Sequence, residues 1–355
     1  MSKNNRNPSP VIFGFQSHDI TTEDLAWFEG VRPWGVILFA RNIDSMEQVR
    51  ALTDKLRAAS CNPHLPILID QEGGRVARLR PPLARAYPAA GVYRQLYETA
   101  PEKACRAAFL GGYLLAADLH DAGVTINCAP CLDLGLPNMS EIIADRAFGA
   151  DVESINALAR AFVDGQQKAG VLSLAKHLPG HGRATVDSHV ELPVVDTSAD
   201  VLQATDFEVF KAFNDLPLGM TGHLLFTDID ADNVSTFSPV VIQRIIRQEI
   251  GFSGLLMSDD VSMHALDGDF TTRASQCFEA GCDLVLHCNG DMTEMQAVAE
   301  ALPAPPSAET VQRMAHVDAL LATQPAVLSA VERAEAKQDW GELIGDIFPD
   351  ARNAV

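Results

Sequence analysis

Eight short apolar runs alternate with amphipathic stretches along almost the whole chain, and this rhythm constrains the fold more than any other feature. The runs are Val11–Phe15, Gly35–Phe39, Ile67–Asp70, Val124–Cys128, Val171–Lys176, Gly219–His223, Leu255–Ser258 and Asp283–His287. Between them lie stretches with helical periodicity, such as Met46–Ala59, Glu102–Asp121, Val152–Lys168 and Pro239–Ile250. Most runs are apolar on successive residues rather than alternating, the pattern of parallel strands buried on both faces. Eight strands each followed by a helix predict an α/β (β/α)8 barrel. A doubly wound open sheet is the alternative, because a strand count does not prove closure.

No linker, low-complexity tract or repeat of 20–50 residues interrupts the rhythm. The 355 residues are therefore read as one domain, with a barrel over about 11–300. The Pro-rich Leu302–Ser307 is a turn into a C-terminal helical segment over about 306–345, with helices near Glu309–Ala322 and Ala326–Lys337. A monomer is the default expectation.

Charge and cysteine usage narrow the partners. Lys and Arg number 27 against 47 Asp and Glu, a formal charge of −20, which argues against nucleic acid or an anionic membrane surface as a partner. No apolar run approaches the roughly 18–20 residues of a membrane span, and the polar start has no secretory h-region. Seven scattered cysteines do not form a disulfide framework, so a reducing compartment, most simply the cytoplasm, is expected. Cys128 and Cys131 have redox or zinc spacing, but no second pair completes a metal site, and packing is the preferred reading. No cofactor and no metal is expected.

Polar residues cluster where the apolar runs end, the place where barrels of this kind carry their chemistry. One run ends in Asp70-Gln71-Glu72-Gly73-Gly74-Arg75, with Arg78 beyond, and Asp145-Arg146-Ala147-Phe148-Gly149 follows the next. Others end in Lys176-His177, in Thr221-Gly222-His223 and in Ser258-Asp259-Asp260. The segment from Lys176 to His189 contains Pro179, Gly180 and Gly182, so it is a shaped loop. The four-residue spacing of His177 and His181, which would suggest zinc on a helix, has no such meaning across Pro-Gly. In an extended Asp187-Ser188-His189, residues two apart point the same way, so Asp187 can orient His189 for proton transfer near neutral pH. Asp259 ends a rigid strand, a good platform for a nucleophile, and alternation turns Asp260 the other way. Arg78, Arg146 and Lys176 stand against the acidic balance of the chain, either as ligands of a polar molecule or as barrel-end salt bridges.

These segments resemble glycoside hydrolase family 3 β-N-acetylhexosaminidases. The likeness rests on Lys176-His177-Leu178-Pro179-Gly180-His181-Gly182 with Asp187-Ser188-His189, and on Ile245–Glu249 followed by Gly254–Ser262. Asp70–Val76 and Asp145–Gly149 fit as well, and the similarity runs in order from about Val11 to Cys288. It points to single-domain bacterial enzymes of peptidoglycan recycling, which release β-linked N-acetylglucosamine from anhydro-muropeptides in the cytoplasm. The resemblance implies Asp259 as nucleophile and the Asp187–His189 dyad as general acid/base. It implies Asp70, Arg78, Arg146, Lys176 and His177 as ligands of the non-reducing-end sugar, and a double displacement with net retention. Leu178, Ala144, Gly222 and Arg183 depart from the usual residues of the family, and none of them removes a reacting group. Alternatives within the family are β-glucosidase, phosphorolytic or substrate-assisted chemistry. Outside it stand a Schiff-base lyase using Lys176 and a sugar-binding barrel without activity.

Overall fold

The structure, a computed structural model, describes residues 7–137, 141–186, 188, 191–323 and 329–352. Eight parallel strands close into a barrel: β1 (Ser9–Phe13), β2 (Pro33–Leu38), β3 (Ile67–Ile69), β4 (Ile126–Asn127), β5 (Leu172–Leu178), β6 (Leu218–Thr221), β7 (Leu255–Asp260) and β8 (Leu284–His287). Each strand pairs with its sequence neighbour, and β1 pairs with β8 in register Val11 to Val285, so the sheet has no open edge. Closure excludes the open-sheet alternative.

The strands are buried on both faces, which explains their unbroken apolar runs. Side chains alternating inward, including Ile12, Ile37, Leu68, Leu174, Met220, Met257 and Leu286, fill the barrel interior. The outward set, including Val11, Phe13, Val36, Ile67 and Leu256, packs under the surrounding helices. Local signals start and stop those helices. The Ser45 and Asp151 side chains accept from backbone N–H groups to cap Met46–Ser60 and Val152–Lys168, and Pro101 opens the long helix Pro101–Asp121. The segment expected as an ordinary helix over Pro239–Ile250 is a π-helix at Val240–Glu249.

Two C-terminal helices have different tasks. Ala308–Ala322 sends Met314, Val317 and Leu321 into the cluster that fills the barrel, plugging its lower end. The second helix runs over Ala330–Ile344, later than the expected Ala326–Lys337. Its Trp340 packs on Tyr87, and Tyr93 beneath it stacks on Phe148. The C-terminal segment thereby braces the loop that carries Arg146.

Candidate active site

At the C-terminal ends of the strands lies a cavity of about 300 Å³ bordered by Asp70, Arg78, Arg146, Lys176, His177 and Asp259. These are six of the eight residues expected at the site, brought together from four barrel segments. The other two, Asp187 and His189, lie outside the described residues. Ser188, between them in sequence, borders the same cavity. Met220, Leu286 and Cys288 also line it.

The basic residues of the cavity are held by carboxylates. Lys176 Nζ lies 3.0 Å from Asp70 and 2.6 Å from Glu72, and Arg146 forks onto Glu72 with two bonds of 2.8 Å. Arg78 reaches Asp70 at 3.1 Å, while its Nε is buried without a partner. Burial alone would raise the Asp70 carboxyl, but Lys176 and Arg78 outweigh it and hold it below the usual carboxylate range. Burial is likewise the largest single influence on Glu72 and would raise it, but Arg146 and Lys176 together outweigh it and hold it below the usual carboxylate range. Burial would lower the Lys176 ammonium, but Glu72 and Asp70 raise it above its ordinary value. An amine held in this way stays protonated and carries no lone pair for a Schiff base, which counts against the lyase alternative.

The backbone that delivers these groups is pinned by buried amides. The Gln71 side chain accepts from the Arg78 and Leu79 N–H groups and donates to the Leu79 carbonyl, and Asn127 brackets the Gln71 backbone on both sides. The turn after Glu72 needs glycine. Gly73 has φ of 105°, and a Cβ there would lie 2.1 Å from the Pro88 carbonyl oxygen.

Asp259 and Asp260 both border the cavity, although strand alternation predicts that Asp260 turns away. Their partners separate them. The oxygens of Asp260 accept from Ser262 N–H, Ser262 Oγ and Cys288 N–H, so this carboxylate ties its own loop to the end of the neighbouring strand. Asp259 accepts the Asp260 N–H at 2.8 Å, and its own N–H reaches Thr221 Oγ1. One carboxylate supports the strand end and the other stands at the cavity.

A second group lies behind His177. Its Nδ1 is 2.6 Å from Asp133 Oδ2, and Asp133 Oδ1 accepts the His181 N–H at 2.6 Å. The His181 ring faces Ser188 through Nε2 at 3.3 Å, and its Nδ1 is buried without a partner. Burial, then the neighbouring His177, lowers His181 to about 4. It is therefore neutral around pH 7. Glu72 and Asp133 escaped the sequence reading as site residues. Glu72 had one available signal, its place two residues after Asp70 at a strand end; Asp133 had none, because its partners lie 44 and 48 positions away.

The glycosyl hydrolase family 3 N-terminal domain matches residues 25–320. The chain belongs to glycoside hydrolase family 3. A β-hexosaminidase of Alkalilimnicola ehrlichii is 40% identical over 300 residues, covering 83% of this chain and 85% of that protein. A β-hexosaminidase of Idiomarina loihiensis is 36% identical over 91% of this chain and 96% of its own length. The crystal structure of native NagZ from Neisseria gonorrhoeae superposes with a TM-score of 0.84 at 29% identity, covering 96% of this chain and 98% of that one. The molecule is a glycoside hydrolase of the β-N-acetylhexosaminidase class, on the barrel that its strand rhythm predicts. No helix among the described residues is long and apolar enough to cross a membrane.

Proposed function

We propose that the enzyme is a retaining exo-β-N-acetylglucosaminidase that removes terminal β-linked N-acetylglucosamine from muropeptides during peptidoglycan recycling. The observation that carries this reading is the placement of Asp259 in one cavity with Asp70, Arg78, Arg146, Lys176 and His177. A cavity floored by Met220, Leu286 and Cys288 suits the end of a glycan better than its middle. Arg78, Arg146, Lys176 and His177 hold the hydroxyls of the terminal sugar, and Asp70 accepts from them. Asp259 attacks the anomeric carbon while protonated His189, oriented by Asp187, gives its proton to the departing glycosidic oxygen. Water, deprotonated by the same His189, then cleaves the glycosyl–Asp259 ester, and the two inversions give net retention. One chain of 1–355 forming a single barrel domain, working as a monomer without metal or cofactor, is part of this reading. Cytoplasmic placement rests on the substrate and on seven free thiols.

The test is hydrolysis of a chromogenic β-N-acetylglucosaminide and of an anhydro-muropeptide by wild type and Asp259→Ala. Loss of at least about 10³-fold in kcat is expected for removal of a nucleophile. Mass spectrometry after a fluorinated sugar inactivator should find the adduct on Asp259. An intact mass without adduct would instead favour attack by the substrate's own acetamido group. Faster turnover of a β-glucoside, or of either glycoside by phosphate, would overturn the assignment of substrate or acceptor.

A further inference from the structure

Cys128 and Cys131 have the spacing of metal ligands, but the fold sends them to different surroundings. Cys128 belongs to the apolar filling of the barrel. Cys131 instead meets Asp133 and His177, with Sγ, a carboxylate oxygen and a ring nitrogen all within 4.8 Å of one another. The Cys131 thiol is 3.2 Å from Asp133 Oδ2, the same oxygen that lies 2.6 Å from His177 Nδ1. We propose that Cys131, Asp133 and His177 form a binding site for a thiophilic divalent cation such as zinc or cadmium, and that a cation held there obstructs the sugar site.

The donor set selects the ion class. One sulfur, one imidazole nitrogen and one carboxylate oxygen suit zinc or cadmium, whereas magnesium and calcium need oxygen-rich sites. Two hydrogens now converge on Asp133 Oδ2, one from the thiol and one from His177 Nδ1, and the cation replaces both. The thiol proton leaves to solvent. His177 must likewise give up the hydrogen on Nδ1 before that nitrogen can bind the cation. The thiolate and carboxylate together offset the dipositive charge. With bonds of about 2.0–2.3 Å, ligand atoms stand roughly 3.3 Å or more apart, so the His177–Asp133 pair must open by somewhat under 1 Å. Asp133 Oδ1 keeps the His181 N–H, which orients the carboxylate from behind as outer partners of metal ligands do.

The effect follows from position. Cys131 and Asp133 are each 1% exposed, while His177 borders the cavity, so the ion lies behind the His177 ring and acts on the sugar site through it. With Nδ1 on the cation, the nitrogen of His177 that remains available to the cavity is fixed as a donor. A sugar hydroxyl that donates to it then meets an N–H, and KM rises.

The experiment is a cadmium titration in a phosphine reductant, followed by the ultraviolet thiolate-to-cadmium charge-transfer band. It uses a Cys61→Ser background, since that exposed thiol binds cadmium by itself. Wild-type site and Cys128→Ser should each take one cadmium with the band. Cys131→Ser preserves a hydroxyl donor to Asp133, and should fold, keep its basal activity and lose the band, with affinity down by more than about 10-fold; Cys131→Ala is the second variant. A band that survives in Cys131→Ser, or vanishes in Cys128→Ser, overturns the site. The inhibition arm rests on His177 as a sugar ligand, whereas the band does not, so the two can fail separately. Inhibition that is unchanged in Cys131→Ser places the inhibitory ion away from Cys131 and also overturns the proposal.

Discussion

Each end of the barrel buries an ion network beside a cavity, and only the upper one holds the proposed catalytic and sugar-binding residues. At the lower end, Asp283 accepts from Arg247 at 2.7 Å, Arg313 at 2.8 Å, Leu256 N–H and Thr310 Oγ1. Both oxygens carry two donors, and Arg247 spends its remaining reach on the Phe252 and Gly254 carbonyls. At the upper end, three cations share Asp70 and Glu72, and Arg78 Nε is buried with no partner. The lower cavity is the larger, about 640 Å³ against about 300 Å³. Size therefore does not locate function here. A saturated network fixes structure, whereas an unsaturated one keeps donors ready for a ligand.

The largest expected effect is at Lys176. Lys176→Met strands Asp70 and Glu72 with fewer cations, and should cost about 3–5 kcal/mol of stability and raise KM sharply in the same protein. Asp283→Asn should cost a similar stability, about 3–5 kcal/mol, while kcat and KM of the folded enzyme stay at wild-type values. Urea melts paired with steady-state kinetics separate the two losses. A kinetic defect in Asp283→Asn, or none in Lys176→Met, would dissolve the distinction between the ends.

The next effect is a pH dependence led by a residue of the upper end. His181 titrates at about 4 when folded and near 6.5 when unfolded. As pH falls below about 6.5 the unfolded chain takes up this proton and the folded chain does not, so stability is lost down to pH 4. The loss is about 3 kcal/mol for this one group. Asp70, Glu72 and Asp133 have folded values below the usual carboxylate range, so their contribution is present above about pH 4 and is lost only below it. His181→Gln should reduce the slope of the stability curve below pH 6.5, leaving the share of His223 and His120, which burial also lowers, and leave the acid limb. A slope that is undiminished in His181→Gln would assign it to another group.

The sequence spoke clearly wherever chemistry and burial coincide on neighbouring residues. All eight strands were legible because a strand buried on both faces must be apolar throughout. Their ends were less so. The fourth run shortens from Val124–Cys128 to Ile126–Asn127, and the fifth extends beyond Lys176 to Leu178, where strand pairing overrides local composition. Asp70, Lys176, His177 and Asp259 stood out because they end apolar runs, whereas Arg78 and Arg146 lie in the loops beyond and were drawn in as sugar ligands by the family resemblance. The Cys131–Asp133–His177 cluster was not legible, since spacing along the chain says nothing about which strand end lies beside which.

Arg183 is the smallest test and lies between the two extremes. It departs from the family pattern within the loop that leads to Asp187 and His189, and it binds Asp206 Oδ2 at 2.7 Å and Thr205 Oγ1 at 2.9 Å. The other Asp206 oxygen, Oδ1, is buried without a partner, and burial raises this carboxyl even with Arg183 in place. The network is thus neither saturated like that of Asp283 nor shared like that of Asp70. Arg183→Ala lets Asp206 take up a proton, which limits the loss of stability to about 1–2 kcal/mol. If the bridge also sets the loop's pose, kcat should fall by up to about 10-fold for poor leaving groups, which need the proton from His189. Activated aryl glycosides need that proton less and should lose less. Arg183→Lys, with one charge but no fork, should restore part of the difference. Equal losses for both kinds of leaving group would make the bridge a structural clamp like that of Asp283.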